Sequence, residues 1–177
     1  MKLFSFLFIV SLSLLLSSCE FNCSIGKKDE VTGAAEVKDG ARIYNSIQLN
    51  ASGVKVDKAY LLFDNSQRVP DDNFVDFKGP VKMQILIDSG WVEENGKVLL
   101  GASEKIVTEK GEVVLEEADL FQKYPDGISV EDSKSIYLSA SLKLKEGMPP
   151  TSFTVSFRIW DKKGDGFVEG SYKLYSK

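Results

Sequence analysis

The stretch Ser152–Trp160 decides the fold, and it reads Ser-Phe-Thr-Val-Ser-Phe-Arg-Ile-Trp. Its residues at odd positions from 153 to 159 are all apolar, whereas those at even positions from 152 to 158 are all polar. Because successive side chains of a β-strand point to opposite faces, this alternation predicts a strand with one buried face and one solvated face. The same period of two should therefore mark the other strands.

Alternating or continuous apolar patterns recur along the chain. In Pro80–Asp88 the odd positions from 81 to 87 are apolar, and in Ile136–Leu144 the even positions are apolar. Ala59–Phe63 is apolar throughout, which is typical of a strand covered on both faces. Weaker strand candidates are Arg42–Leu49, Lys97–Lys105, Glu112–Glu116 and Phe167–Tyr175.

Short turns separate these segments. Asn95-Gly96 predicts a type I′ hairpin turn, since both central residues of that turn must tolerate a positive φ. Lys110-Gly111 and Lys163–Gly166 predict two further hairpin turns. The pattern also predicts one short helix over Ala118–Tyr124, ended by Pro125-Asp126-Gly127. About eight short strands with regular turns and no long helix indicate an antiparallel β-sandwich.

The last two strand candidates carry a resemblance to a known architecture. Trp160-Asp161-Lys162-Lys163-Gly164, followed by Glu169-Gly170-Ser171-Tyr172-Lys173-Leu174, resembles the closing hairpin of immunoglobulin-like domains. The resemblance implies an all-β, antiparallel, immunoglobulin-like sandwich of about 7–9 strands with one short helix over residues 41–177.

The first eighteen residues have the composition of an export signal. Met1-Lys2 supplies a positive charge, and Leu3–Leu16 is an unbroken stretch of fourteen apolar residues and serines. A membrane-spanning helix needs about 20 apolar residues, whereas the apolar core of a signal peptide runs to about 7–15. Residues 1–18 are therefore predicted to be a secretory signal peptide.

The end of that stretch, Leu16-Ser17-Ser18-Cys19, resembles the lipobox of bacterial lipoproteins. The resemblance implies cleavage before Cys19, transfer of diacylglycerol to its thiol, and acylation of its new amino group with a fatty acid such as palmitate. Two or three acyl chains make a stable anchor, since each buried methylene contributes about 0.8 kcal/mol. Glu20 stands where enterobacterial lipoproteins retained at the inner membrane have aspartate, so the resemblance favours the outer membrane.

Residues 19–40 are predicted to be a lipidated, flexible tether. From Glu20 to Gly40 the chain is polar and small and shows no period of two or 3.6. Once Cys19 is acylated, Cys23 has no partner for an intramolecular disulfide. Cys23 is then either an unimportant tether residue or the site of an intermolecular bridge or second anchor.

Composition excludes several kinds of chemistry. The chain has 177 residues and a formal charge of −4, with no histidine and two cysteines. Without histidine there is no Ser-His-Asp or Cys-His catalysis and no imidazole zinc site. The acidic balance and the lack of a basic run argue against nucleic acid as a partner. There is also no glycine-rich phosphate loop and no G-x-S-x-G elbow, so no enzyme activity, metal or cofactor is predicted.

Loop carboxylates are the remaining acid–base groups. Asp71, Asp72, Asp76 and Asp126 stand in turn-rich sequence, where aspartate usually accepts hydrogen bonds from nearby backbone N–H groups. Turn formation is therefore preferred over calcium binding and over catalysis. Asp161–Gly166 has a lysine where the third position of an EF-hand calcium loop needs a ligand, so it is predicted to be a hairpin tip.

Three residues are candidates for contact with a ligand or partner. Alternation places Trp160 beside Arg158 on the face opposite the apolar positions, and Trp91 comes just past a predicted strand end. An exposed tryptophan can stack on a sugar or anchor a protein partner. The structural alternative is that both tryptophans support the sandwich, with Trp160 packed across the sheet on Tyr175 or Tyr137.

Together these features predict a non-enzymatic, lipid-anchored lipoprotein of the bacterial cell envelope that faces the periplasm or the cell surface. Its sandwich would bind or scaffold another envelope protein. In size, anchor and fold class the chain is similar to small accessory lipoproteins of type VI secretion systems, which implies a place in an envelope-spanning secretion apparatus. The alternatives are a surface lipoprotein that binds carbohydrate or another small ligand through Trp160, Trp91 and nearby tyrosines, and an enzyme that uses Asp72 and Asp126.

Overall fold

The computed structural model describes residues 36–38, 40–142, 144 and 149–176. This part of the chain holds fourteen β-strands and one helix, α1, over Val130–Ser133. The predicted all-β fold with one short helix is therefore confirmed. The strands are β1 Glu36–Lys38, β2 Ala41–Ile43, β3 Gln48–Ser52, β4 Lys55–Phe63, β5 Phe74–Val75, β6 Val81–Ser89, β7 Glu93–Glu94, β8 Lys97–Val98, β9 Leu100–Thr108, β10 Val113–Glu117, β11 Ile128–Ser129, β12 Ser135–Ala140, β13 Ser152–Asp161 and β14 Phe167–Ser176.

The strands form a sandwich of two large sheets. Sheet I has the order β1-β2-β4-β6-β12, and sheet II has the order β10-β9-β13-β14-β3, with β5 beside β14. A small third sheet has the order β11-β8-β7. Neighbouring strands are antiparallel, as predicted, except that among the described strands β2 pairs with β4 and β5 pairs with β14 in parallel over two residues each.

The core is built from alternate residues of the strands in both sheets. In β13 the four apolar residues at positions 153, 155, 157 and 159 are all buried, as the alternation predicts. They join Met83, Ile85 and Leu138 of sheet I in one apolar cluster. Each buried side chain of this size contributes about 1.5–3 kcal/mol relative to exposure, so this cluster supplies the main driving force for folding.

The predicted hairpin turns are present. Asn95 and Gly96, between β7 and β8, have φ values of 53° and 74°, the two positive values that a type I′ turn requires. Gly111, between β9 and β10, has a φ of 83°. The β13–β14 hairpin closes where Asp161 N–H donates to the Gly166 carbonyl at 2.9 Å.

The helix prediction for Ala118–Tyr124 is wrong, because this segment forms successive turns. The Asp119 carboxylate accepts hydrogen bonds from Phe121 N–H at 2.9 Å and from Ala102 N–H at 3.3 Å. These bonds compete with helical backbone bonding, and Leu120 N–H donates to the Ala102 carbonyl on β9 instead.

Helix α1 has its own capping signal. The Ser129 hydroxyl accepts a hydrogen bond from Asp132 N–H at 3.0 Å and pairs with the Asp132 carboxylate at 2.6 Å. Serine followed three residues later by an acid is a helix-start pattern. This capping pattern is visible in the sequence. The helix has only four residues, however, which is too short to show helical periodicity.

The observed boundaries differ from the prediction at the N-terminal side. Strand β1 lies within residues 19–40, the segment predicted as tether, so the sheet starts before position 41. The strand number exceeds the predicted range because six of the strands are only two or three residues long, too short for an alternating pattern to mark them. The predicted signal peptide, Cys19 and Cys23 lie outside the described residues. Within the part that the structure describes, no helix has the length and apolar character needed to cross a bilayer.

Candidate binding surfaces

Trp160 lies on the outer face of sheet II, opposite Gly101 of β9. A Cβ atom at position 101 would fall 2.3 Å from the indole ring, so the ring rests on the glycine backbone. The tryptophan is half-buried in this position. Its cross-strand partners are therefore Gly101 on β9 and Phe167 on β14, rather than Tyr175 or Tyr137.

Gly101→Ala tests whether the Trp160 ring needs the space that glycine leaves at position 101. The added methyl group would overlap the indole, so we expect the ring to move and the free energy of unfolding to fall by about 1–3 kcal/mol. Chemical denaturation measures the loss, and tryptophan emission should shift to the red. Gly79→Ala is the matched control, because a Cβ atom at position 79 would meet nothing within 4 Å. An unchanged emission maximum in Gly101→Ala would contradict the packing.

Arg158 is engaged by two residues of β14. Its guanidinium forms a 3.3 Å ion pair with Glu169 and lies 4.8 Å from the centre of the Phe167 ring. Half-exposed ion pairs of this kind contribute only about 0–1 kcal/mol. Arg158 therefore shares the outer face of sheet II with Trp160 and is held there by its neighbours.

Trp91 packs against the core and is only partly exposed. Its indole Nε1 is buried without a hydrogen-bond partner. Trp91 is thus directed inward, so the three predicted contact residues do not form one site. None of them lines either of the two grooves described below.

Loop aspartates cap turns, as predicted. Asp72 Oδ1 accepts a hydrogen bond from Phe74 N–H at 3.1 Å, and Asp76 Oδ1 accepts one from Lys78 N–H at 3.2 Å. Asp126 is exposed. Across residues 36–38, 40–142, 144 and 149–176, no group of three or more Cys, Asp or Glu side chains could hold a metal ion.

Asp161 organises the predicted hairpin tip. Its carboxylate accepts hydrogen bonds from Lys163 N–H at 2.8 Å, from Gly164 N–H at 3.2 Å and from Val92 N–H at 2.6 Å. The side chain is buried, so its oxygens are committed to backbone groups. The Asp161–Gly166 segment is a turn, as predicted.

A groove lined in part by aromatic side chains, called the edge groove here, runs between residues 120–128 and strand β12. Its volume is about 500 Å³. The rings of Phe121 and Tyr124 lie 6.0 Å apart, and Tyr124 and Tyr137 are 53% and 52% exposed. The lining residues are Leu120, Phe121, Tyr124, Ile128, Asp132, Ser135, Ile136, Tyr137 and Leu138.

A hydrogen-bond network holds Tyr137 at the rim of the edge groove. The buried Gln84 amide donates to the Tyr137 hydroxyl at 2.6 Å and to the Ser135 hydroxyl at 2.9 Å. The Gln84 carbonyl accepts a bond from the Tyr60 hydroxyl at 2.5 Å. Burial, and secondarily the nearby Tyr137, raise the pKa of Tyr60, so this phenol stays protonated and keeps its bond at neutral pH.

Strand β12 is an edge strand whose outer backbone is free. Ile87 N–H donates to the Lys134 carbonyl at 2.9 Å, and the antiparallel register then directs the backbone groups of Ile136 and Leu138 toward β6. The residues whose backbone groups point away from β6 are Ser135, Tyr137 and Ser139. No backbone group within the described ranges pairs with them.

A second groove, called the polar groove here, lies where β3 and β5 both meet β14. Its volume is about 430 Å³. The ring of Tyr175 at this groove lies 5.3 Å from that of Phe74, which is 43% exposed. The residues that line the groove include Ser46, Gln48, Asp71, Asp72, Asn73, Thr154, Ser171, Lys173 and Tyr175.

Two buried asparagines support the polar groove. The Asn45 amide donates to the carbonyls of Val69 and Pro70 and to Asn73 Oδ1, at 2.9 to 3.1 Å. Its own Oδ1 accepts a bond from Leu61 N–H at 3.0 Å. This network could not be predicted from the sequence, because no local pattern distinguishes Asn45 or Asn73 from an ordinary loop asparagine.

Asn73 completes the network. Its amide donates to the carbonyls of Asn45 and Lys173, both at 2.8 Å. Asn45 and Asn73 have φ values of 57° and 58°, in the left-handed region that asparagine tolerates better than most residues. Together they join β4 of sheet I to β14 of sheet II.

No protein-family model matches the chain, and none of the curated proteins matches its sequence. Function must therefore be inferred from the residues and from the two grooves. Sequence reasoning missed the edge groove and the polar groove, although Phe121 and Tyr124, two aromatic residues in a turn-rich loop, were a signal for the first.

Proposed function

We propose that this protein is a non-enzymatic lipoprotein, anchored in the bacterial cell envelope through Cys19, whose sandwich binds an envelope protein at the edge groove. The observation that carries the proposal is the juxtaposition of exposed aromatic side chains with a free strand edge. A partner strand could pair with the backbone of β12 while its side chains occupy the groove. Tyrosines of this kind often anchor protein contacts.

The two edges of sheet II, at β10 and β3, are less suited to strand addition. Strand β10 has an irregular register between Val113 and Leu115 and ends in Glu116-Glu117, and both features discourage pairing. At β3, the Lys38 ammonium donates to the Leu49 carbonyl at 2.8 Å. Strand β12 carries no charge and has a continuous register with β6.

The anchor part of the proposal rests on the sequence. The lipobox Leu16-Ser17-Ser18-Cys19 predicts the acylated residue, and Glu20 favours the outer membrane. A sandwich held at a membrane by a tether is suited to recruit or scaffold a subunit of an envelope assembly, such as a type VI-like secretion apparatus. No nucleic acid, metal or cofactor enters this proposal.

Cys19→Ser tests the anchor. We expect metabolic labelling with an alkyne-tagged palmitate to be lost and the protein to leave the membrane fraction, because the acceptor thiol for the lipid is gone. Cys23→Ser is the matched control and should keep both the label and the membrane fraction. Labelling that persists in Cys19→Ser would refute the assigned lipidation site.

Photocrosslinking tests the edge groove. A photoreactive phenylalanine analogue placed at Tyr137 in the full-length protein should yield a defined envelope-protein adduct in living cells. Ser139→Pro should reduce that adduct at least tenfold, since it removes an outward N–H and places a ring on the free edge without breaking a bond to β6. The analogue at exposed Asn65 is the control position. Equal adducts at both positions, or no effect of Ser139→Pro, would refute the docking site.

Protease treatment of intact cells separates the two orientations. If the domain is cleaved only after the outer membrane is opened, the sandwich faces the periplasm, as an envelope-assembly partner requires. Cleavage in intact cells would place it at the surface and favour the carbohydrate or small-ligand alternative.

A further inference from the structure

We infer that the polar groove binds a neutral saccharide. The inference is independent of the proposed docking at β12, because the polar groove lies at the β3–β14 side of sheet II and shares no residue with the edge groove. It also moves the carbohydrate alternative away from Trp160 and Trp91, to a groove lined by Gln48, Asp72, Thr154, Ser171 and Tyr175.

An aromatic platform stands at the groove. Strands β5 and β14 pair in parallel with Phe74 beside Tyr175, and the two rings lie 5.3 Å apart with an angle of 34° between their planes. Tyr175 lines the groove, and Phe74, which is 43% exposed, lies next to it and extends the aromatic surface. The C–H face of a sugar ring is apolar and packs against aromatic rings, while its hydroxyls remain available to polar groups.

The groove offers uncommitted polar groups next to that platform. The side chains of Gln48, Thr154 and Ser171 have no hydrogen-bond partner among the described residues. Asp72 uses Oδ1 for the Phe74 backbone and leaves Oδ2 open. These groups provide both donors and acceptors at short spacing, as the vicinal hydroxyls of a saccharide require.

The wall behind these groups is preorganised. The Asn73 amide is held by Asn45 and by the Lys173 carbonyl. Asp71 accepts bonds from Asn45 N–H at 3.3 Å and from the Arg68 guanidinium at 2.8 Å. A groove whose wall is already fixed loses little conformational freedom when a ligand binds.

Charge favours a neutral ligand. The Asp71 carboxylate is neutralised by Arg68 at 2.8 Å, and Asp72 and Lys173 supply one charge of each sign. An anionic ligand would meet the Asp72 carboxylate, and a cation would meet the Lys173 ammonium. The groove volume of about 430 Å³ has room for one or two sugar units.

The test uses the full-length protein in detergent and four probe disaccharides, namely cellobiose, maltose, lactose and N,N′-diacetylchitobiose. We expect saturation-transfer NMR to detect at least one of them at millimolar concentration. Tyr175→Ala and Gln48→Ala should each raise the dissociation constant at least tenfold, as measured by titration calorimetry. Far-UV circular dichroism confirms that each variant is folded. Thr154→Lys, which fills the groove from a partly buried position in its lining, serves as a third variant and should also weaken binding.

Control variants distinguish this site from the other candidates. Tyr124→Ala should abolish the crosslink of the edge groove and leave saccharide binding unchanged, so the two proposals can fail separately. Loss of binding in Trp160→Ala together with unchanged binding in Tyr175→Ala and Gln48→Ala would assign the ligand to the outer face of sheet II and overturn the inference. No binding of any of the four probes would also overturn it.

Discussion

Replacing Asn45 by alanine is expected to lower the free energy of unfolding by about 3–5 kcal/mol. Asn45 is 1% exposed, and its amide group makes bonds to two carbonyls, to Asn73 and to Leu61 N–H. Alanine would leave these buried groups without partners, and each unsatisfied group costs about 1–3 kcal/mol. Alanine would also be strained at a φ of 57°.

Two further variants separate the causes of this loss. Asn45→Gly removes the same hydrogen bonds but accepts the positive φ, so it should be about 1 kcal/mol less destabilising than Asn45→Ala. Asn50→Ala is the matched control, since Asn50 is exposed and bonds only to Glu169 at 3.3 Å, and it should change the free energy by less than about 0.5 kcal/mol. Urea denaturation measures all three. A loss below about 1 kcal/mol in Asn45→Ala would show that the network does not hold the sheets together.

Replacing Glu104 by methionine should have the opposite effect and raise the free energy of unfolding at pH 8 by about 2–4 kcal/mol. Glu104 lies on the inner face of β9, is 2% exposed and has an oxygen without a hydrogen-bond partner. The nearby Tyr172 hydroxyl is also buried and unpartnered. Burial raises the pKa of Tyr172, and the charge of Glu104 adds to that rise. Methionine has a similar shape and needs no polar partner.

Glu104 also predicts how stability changes with pH. Burial raises the pKa of Glu104 from 4.5 to about 7 in the folded protein. Below pH 4.5 the carboxyl is protonated in both states, so it adds no pH dependence. Between pH 4.5 and about 7 the unfolded chain loses its proton while the folded one keeps it, so the free energy of unfolding falls by about 3 kcal/mol and then stays level.

Denaturation at pH 4.5, 6 and 8 checks this slope. The difference between wild type and Glu104→Gln is the quantity to follow, because the titrations of all other groups are common to both proteins and cancel. In Asp119, for example, burial alone would raise the pKa, but hydrogen bonds from Lys162 and from two backbone N–H groups lower it overall. The Gln variant should lack the decline between pH 4.5 and 7, whereas exposed Glu117→Gln should retain it. The same slope in Glu104→Gln as in wild type would exclude Glu104 as its source.

Much of the strand pattern could be predicted because it depends on neighbours in sequence. Alternation over Ser152–Trp160 marked β13 nearly to the residue, and Asn95-Gly96 marked a turn because its φ requirement is local. The same alternation places Glu104 among buried positions of β9, so its burial could have been noticed from sequence. The helix was misplaced because the Asp119 carboxylate, with a partner on β9, redirects the backbone of residues 118–124.

The sequence by itself determined the period of the strands, the hairpin turns, the lack of histidine chemistry and the lipobox that predicts an anchor at Cys19. Only the tertiary structure decided which side chains meet. Asn45 and Asn73 are 28 residues apart, and Asn73 and Lys173 are 100 residues apart, yet all three belong to one hydrogen-bond network that supports the polar groove. The edge groove likewise needs β12 to be the last strand of its sheet. Sheet order and inter-sheet contacts arise from packing of the whole core, which no local pattern encodes.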